Sequence, residues 1–323
     1  MTLTEQPPIT DRQPLRAGFG RGLVAAGHAD HRVVALCADL TESTMMTGFA
    51  DAFPARFIEV GVAEQNLVTV ASGMAHAGKI PFAASYAAFS PGRNWEQIKT
   101  TAALNDMPVK IVGAHAGINV GPDGATHQML EDIALMRVMP NMVVVAPGDA
   151  TEAEQATLAV ARDPRPVYLR LARAATPLFL DAAPFVIGQA RRLRDGSDVT
   201  LAGTGTLTYQ LLVAADRLAE LGIAADLVHF PTIKPLDDAA LLESAARTRL
   251  VVTAEEGQRA GGFGGAVTEV LAAELPTRVL RIGIDDRYGE SGEPDELLAH
   301  FGLTGDRIAE HVHEYITRAK GSK

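Results

Sequence analysis

The sequence predicts an α/β fold of two domains, each a mostly parallel sheet with helices on both faces. Three observations predict it. Short apolar or β-branched runs alternate with longer stretches of helical period along nearly the whole chain. The rhythm breaks once, over residues 174–190, where two prolines fall, and then resumes. The length of 323 residues suits two ordinary domains, and 47% hydrophobic residues are enough to fill their cores.

Residues 1–14 are polar and hold three prolines, so they read as a flexible arm. The first domain is expected over residues 15–185. Its strands fall at 33–38, 57–61, 81–85, 109–114, 142–147 and 166–171, and its helices at 15–26, 64–76, 95–104, 128–136 and 150–161. Apolar runs of four to eight residues separated by helices imply βαβ units, and in such sheets ligands sit at the carboxyl ends of the strands. The second domain is expected over 190–323, with strands at 199–202, 225–229, 250–254 and 279–284 and helices at 208–221, 237–248, 264–275 and 294–301. No sequence period links the two halves.

A net charge of −10 argues against a nucleic-acid or anionic-membrane partner, which would be bound through clustered Lys and Arg. Small phosphorylated molecules need only a few local Arg or His groups. Cys37 is the single cysteine, so no disulfide within the chain and no cysteine metal cluster can form. No apolar run reaches the roughly 20 residues of a membrane helix, and the start lacks a basic stretch followed by an apolar one. These features describe a soluble cytoplasmic protein.

Three segments of the first domain carry candidate chemistry. In Glu59-Val-Gly-Val-Ala-Glu-Gln-Asn66 a strand runs into a helix, and Glu64 falls in the first helical turn. Such a carboxylate also serves as an ordinary helix-start charge. Pro81-Phe-Ala-Ala-Ser-Tyr-Ala-Ala-Phe89 carries aromatics that would equally suit a core. Gly121-Pro-Asp-Gly-Ala-Thr-His-Gln128 follows a strand, presents Asp123 and His127 on a loop, and has glycines that allow a ligand to approach the backbone.

Together, and at these spacings, the three segments resemble the pyrimidine-binding domain of transketolases. Residues 199–323, with Glu255-Glu-Gly-Gln and Gly261-Gly-Phe-Gly-Gly265, resemble the transketolase C-terminal domain. The resemblance implies thiamine diphosphate as cofactor and transfer of a two-carbon ketol unit from a ketose to an aldose. It assigns Glu64 to N1′ of the aminopyrimidine ring, where a carboxyl group favours the imino tautomer and lets the 4′-nitrogen take a proton from the thiazolium. It assigns Phe89 to stacking on that ring, and Asp39 to the cofactor's surroundings at a subunit interface. Arg16, Ser43, His115 and Arg173 fall at positions that hold a sugar phosphate, with Arg170 a rival for Arg173. Asp123 would read a substrate hydroxyl, and His127 would contact the substrate or its developing alkoxide.

The sequence departs from the family pattern twice. Ala116-Gly117 follow His115 where transketolases have Asp-Ser. More consequentially, the Gly-Asp-Gly motif that binds Mg²⁺ and the cofactor diphosphate occurs nowhere in the chain. The chain is therefore expected to supply half of a site, with no metal ligands of its own. An N-terminal subunit carrying Gly-Asp-Gly would bind most of the Mg²⁺, as part of an α2β2 assembly acting on sugar phosphates. The β subunit of a 2-oxoacid dehydrogenase and a 1-deoxyxylulose-5-phosphate-synthase-like enzyme are the alternatives. A scaffold without catalytic residues is a third, and it would need none of Glu64, Phe89 and His127. The run Gly261–Gly265 lacks a Gly-x-Gly-x-x-Gly register and reads as a close-packed strand-to-helix turn. The polar stretch from Asp285 to Glu293 reads as a solvated loop.

Overall fold

A computed structural model describes residues 11–321. The first half runs β1 (Arg12–Pro14), α1 (Leu15–Ala29), β2 (Val33–Cys37), α2 (Thr47–Ala52), β3 (Phe57–Glu59), α3 (Glu64–His76), β4 (Ile80–Tyr86), α4 (Trp95–Gln97), β5 (Lys110–Ala114), α5 (Asp132–Arg137), β6 (Val143–Val145), α6 (Ala150–Arg162), β7 (Val167–Arg170) and β8 (Ala175–Pro177). The second runs β9 (Arg191–Arg194), β10 (Val199–Gly203), α7 (Leu207–Glu220), β11 (Ala225–His229), β12 (Thr232–Lys234), α8 (Asp238–Thr248), β13 (Leu250–Gln258), α9 (Phe263–Glu274), β14 (Arg278–Ile284), α10 (Pro294–His300) and α11 (Gly305–Gly321).

The large sheet has the order β12-β6-β7-β5-β4-β2-β3 and is parallel except at β12. Every residue of β2, β5, β6 and β7 is buried, as expected of parallel strands covered on both faces. On one face Leu15, Phe19 and Leu23 of α1 join Ala153 and Val160 of α6 over Val33, Val143 and Val145. These helices approach so closely that a Cβ on Gly18 would lie 1.9 Å from the Ala150 carbonyl oxygen. On the other face Leu67, Val68 and Ala71 of α3 pack in one cluster with Leu36 and Ile111, and the cluster continues into Val228, Phe230 and Phe263. The two halves thus share apolar core. The small sheet, β14-β13-β10-β11-β9, is parallel except at β9. In α11, Ile308 and Val312, one helical turn apart, are fully buried in the second domain's core.

Several elements differ from expectation. Residues 12–14, read as part of a flexible arm, form β1 and pair antiparallel with β8; residues 1–10 of that reading lie outside the described residues. The helix expected over 95–104 continues past α4 as a π-helix, Ile98–Ala103. There the Thr100 and Thr101 hydroxyls donate to the Glu96 and Gln97 carbonyls, and the Leu104 N–H bonds Lys99 five residues back. The helix expected over 128–136 starts only at Asp132. Gln128 is buried and donates to the carbonyls of Ile118 and Glu290 at 3.2 and 2.8 Å, so its backbone stays in the loop. Short strands β1, β8, β9 and β12 and helices α2 and α11 were not anticipated, because three to six residues carry too little period and α11 carries little apolar content.

Candidate active site

Glu64 is the first residue of α3 and is 2% exposed. A buried carboxylate needs a partner. Here Arg93 Nη1 donates to Glu64 Oε2 at 2.7 Å, and Asn94 Nδ2 donates to the Glu64 carbonyl at 2.7 Å. The Arg93 guanidinium also lies over the Phe89 ring, 4.7 Å from its centroid. Both residues come from the turn after β4, where the chain leaves the sheet at its carboxyl edge.

Four rings gather at the same edge. Tyr86, the last residue of β4, stacks on His115 with centroids 3.8 Å apart and on Phe89 at 5.8 Å. His127 meets Phe89 edge-on at 5.5 Å. The His127 Nδ1 is engaged by the Thr126 hydroxyl at 2.9 Å, which leaves Nε2 for a ligand. Asp123 ends the 3₁₀ turn Ile118–Asp123 and is exposed on the same loop.

His115 follows β5 with φ of 55° and is 2% exposed. Arg16 Nη1 lies 3.4 Å from its Nε2 and donates to the Ser43 carbonyl at 2.7 Å. Burial, and then the charges of Arg16, Arg173 and His127, push the His115 imidazolium down to about 3. Among the described residues, His115 Nδ1 and Arg16 Nε are buried without a hydrogen-bond partner. A buried polar atom without a partner costs free energy, so the pair makes this corner a candidate position for a polar ligand. Arg173, after β7, is held by its Nη1 on the Val120 carbonyl at 2.7 Å and by its N–H on Asn119 Oδ1 at 3.0 Å.

The rival Arg170 is placed elsewhere. It is 5% exposed and is spent on Asp132, at 2.8 Å, and on the Glu256 carbonyl, at 2.7 Å. Asp39 has φ of 60° and its side chain is exposed; its N–H donates to Glu59 Oε1 at 2.7 Å, as does that of Gly61 at 2.9 Å. It stands at the rim, after β2, rather than among the rings. For Ser43 the structure shows only the backbone carbonyl engaged with Arg16.

Sequence reasoning missed Tyr86, Arg93, Asn119 and Glu256. Glu256, at the end of β13, is 4% exposed and accepts the Asn119 N–H at 2.7 Å. Burial raises its carboxyl above the usual range. Glu256 also accounts for Gly117, where φ is 86° and a Cβ would meet its Oε1 at 2.3 Å. Gly117 is therefore fitted to a neighbour from the second domain, whereas Ala116 packs with Ala87 and Met129. Glu255 instead accepts the N–H groups of Phe263 and Gly264 at 2.8 Å each, at the start of α9. That confirms the glycine run as a strand-to-helix turn.

An acidic helix start, a stacking aromatic and a cationic corner at the carboxyl ends of a parallel sheet, with a second α/β unit behind, define a thiamine-diphosphate-type pyrimidine-binding domain joined to a C-terminal domain. The chain matches the family models "Transketolase, pyrimidine binding domain" over residues 12–177 and "Transketolase, C-terminal domain" over residues 188–308. It belongs to the transketolase family, whose enzymes depend on thiamine diphosphate. It is 44% identical over 304 residues to a Methanocaldococcus jannaschii protein provisionally named a transketolase C-terminal section, covering 93% of this chain and 95% of that one. A 6-deoxy-6-sulfo-D-fructose transketolase subunit of a Clostridium sp. is 39% identical, covering 92% of each chain. A solved structure titled split gene transketolase, inactive beta4 tetramer, superposes with a TM-score of 0.88 at 42% identity, covering 94% of this chain and 98% of that one.

Proposed function

We propose that this chain is the C-terminal subunit of a two-chain transketolase, transferring a two-carbon ketol unit from a ketose, phosphorylated in the preferred case, to an aldose. The observation that carries the reading is the convergence of Glu64, Phe89, His115, His127, Arg16 and Arg173 at one sheet edge, in a chain without Gly-Asp-Gly. The names of the relatives, one a transketolase subunit and another a split-gene transketolase, support it.

The residues present fit the aminopyrimidine end of thiamine diphosphate. When bound, the cofactor supplies a nucleophilic carbon that takes up the ketol unit. Glu64 would hold a proton in common with ring N1′, and Phe89 would lie against the ring face. Asp39 at the rim would border the cofactor where the partner subunit docks. Arg16 and Arg173 would grip the phosphate with forked donors, helped by His115 and the Ser43 segment. Asp123 and His127, on one loop, would hold substrate hydroxyls and the oxygen on which charge develops. Among the described residues no group of three or more His, Cys, Asp or Glu is placed to hold a metal ion. The diphosphate and Mg²⁺ are assigned to a partner with Gly-Asp-Gly, in an α2β2 assembly. No helix among the described residues is long and apolar enough to cross a membrane, and the site is proposed to work in the cytoplasm.

Calorimetry tests the division of labour. The isolated chain should bind thiamine diphosphate weakly or not at all, and addition of the partner with Mg²⁺ should restore binding. Tight Mg²⁺-dependent binding by this chain alone would defeat the two-chain reading.

A further inference from the structure

Arg93 makes both of the contacts that the proposed site would offer an aminopyrimidine ring. Its Nη1 donates to Glu64 Oε2 at 2.7 Å, and its guanidinium lies over Phe89 at 4.7 Å from the ring centroid. A guanidinium is a flat, delocalised N–H donor that stacks on aromatic faces and pairs with carboxylates, and in those respects it is the side chain most like an aminopyrimidine. Glu64 is nearly buried, with its side chain 3% exposed, whereas that of Arg93 is 49% exposed. The acceptor is therefore fixed and the donor is free to swing into solvent.

We propose that Arg93 is a placeholder, occupying the pyrimidine position in the cofactor-free subunit and displaced from Phe89 and Glu64 when the cofactor enters. The inference rests on the assignment of Glu64 and Phe89 to the cofactor ring. Its physical content is a competition. Without a ligand, a buried carboxylate facing no donor would be destabilised, and Arg93 relieves it. The ligand must replace that ion pair and the cation–ring contact, so apparent affinity falls by the fraction of subunits in which Arg93 has moved aside. The backbone at this point does not depend on the side chain. The Arg93 N–H bonds the Phe89 carbonyl at 3.0 Å, and Asn94, held on Glu64 and Ser90, anchors the start of α4. Truncation at Arg93 therefore leaves the turn intact.

The test is thiamine diphosphate binding, measured by calorimetry on the complex of this chain with its partner and Mg²⁺, in wild type, Arg93→Ala and Arg93→Lys. A half-exposed ion pair together with a cation–ring contact predicts about three- to tenfold tighter binding for Arg93→Ala. Arg93→Lys keeps the charge but not the flat fork, and should fall between the other two. Crystal structures of the complex with and without cofactor should show the Arg93–Glu64 hydrogen bond only without it. Unchanged or weaker binding by Arg93→Ala would overturn the placeholder, and so would a loaded structure with Arg93 still on Phe89 and Glu64. Binding to wild type with no response to Arg93→Ala leaves the cofactor reading standing. No binding by the wild-type complex would overturn both.

Discussion

Glu256 Oε1 accepts the backbone N–H of Asn119 at 2.7 Å, joining the end of β13 in the second domain to the loop that carries the substrate-site candidates in the first. Asn119 passes the contact on, since its Oδ1 accepts the Arg173 N–H at 3.0 Å. A carboxylate outside the pyrimidine-binding domain thus helps set where Arg173, the arginine proposed to grip phosphate, starts.

That geometry makes Gly117 sensitive. Gly117→Ala would place a Cβ 2.3 Å from Glu256 Oε1 and force a left-handed φ of 86° on a residue with a side chain. The expected loss is about 1–3 kcal/mol of unfolding free energy. In a double-mutant cycle with Glu256→Ala, chemical denaturation should show non-additivity of at least 0.5 kcal/mol. Additive losses would mean that the two positions do not compete for space.

Arg170, the last residue of β7, and Arg173, just after it, should separate by assay. Arg170 is part of a buried pair with Asp132, which also accepts the Tyr168 hydroxyl at 2.7 Å. Arg170→Ala should lower stability by about 3–5 kcal/mol by leaving that carboxylate uncompensated. Arg173→Ala loses one part-buried hydrogen bond to the Val120 carbonyl and leaves no buried charge unpaired, so it should lower stability less than Arg170→Ala does. In the assembled enzyme it should lower the specificity constant for a ketose phosphate by about one to two decades, and much less for an unphosphorylated donor. The loss should lie chiefly in KM if the grip is the same in ground and transition states. Equal losses with both donors would make Arg173 structural.

Glu64→Gln tests the proton relationship at N1′. An amide cannot exchange a proton as a carboxyl group does, so activity of the assembled enzyme should fall by about 10²–10⁴-fold while the fold is kept. A helix-start charge alone would change stability by a few tenths of a kcal/mol and leave turnover intact. Steady-state kinetics together with thermal unfolding distinguish the two.

His115 predicts a stability signature with a definite sign. Its imidazolium is pushed from 6.5 down to about 3 by burial and by Arg16, Arg173 and His127. Between pH 6.5 and 3 the unfolded chain therefore binds a proton that the folded chain refuses, and stability falls as the pH drops through that window, by at most about 1.4 kcal/mol per unit. His115→Gln removes this contribution. The wild-type minus variant difference in unfolding free energy should be flat above pH 6.5 and decline below it. A phosphate ligand between Arg16 and Arg173 opposes the same charges, so inorganic phosphate should weaken the decline. A difference that does not vary with pH would show that His115 is protonated as readily in the folded chain as outside it.

The βαβ rhythm, the helix-start position of Glu64 and the loop holding Asp123 and His127 were legible because each is local. Strand and helix periods repeat within a few residues, and a strand's carboxyl end follows from its order in the chain. The strand pairings of β1 with β8 and of β12 with β6 were not legible, because three-residue strands carry no period and pair with segments far along the chain. Nor was the choice between Arg170 and Arg173. These residues lie three apart with similar surroundings in sequence, and only burial against Asp132 separates them.

By itself the sequence determined the two-domain α/β class, the kinds of side chain at the sheet's carboxyl edge, and the missing Gly-Asp-Gly. Those follow from residue identity and short spacing. The tertiary structure alone decided that Arg93 sits between Glu64 and Phe89, that Glu256 crosses from the second domain to Asn119, and that His115 is held neutral. These outcomes depend on burial and on charges brought together by folding, and neither dielectric surroundings nor long-range contact is written in the order of residues.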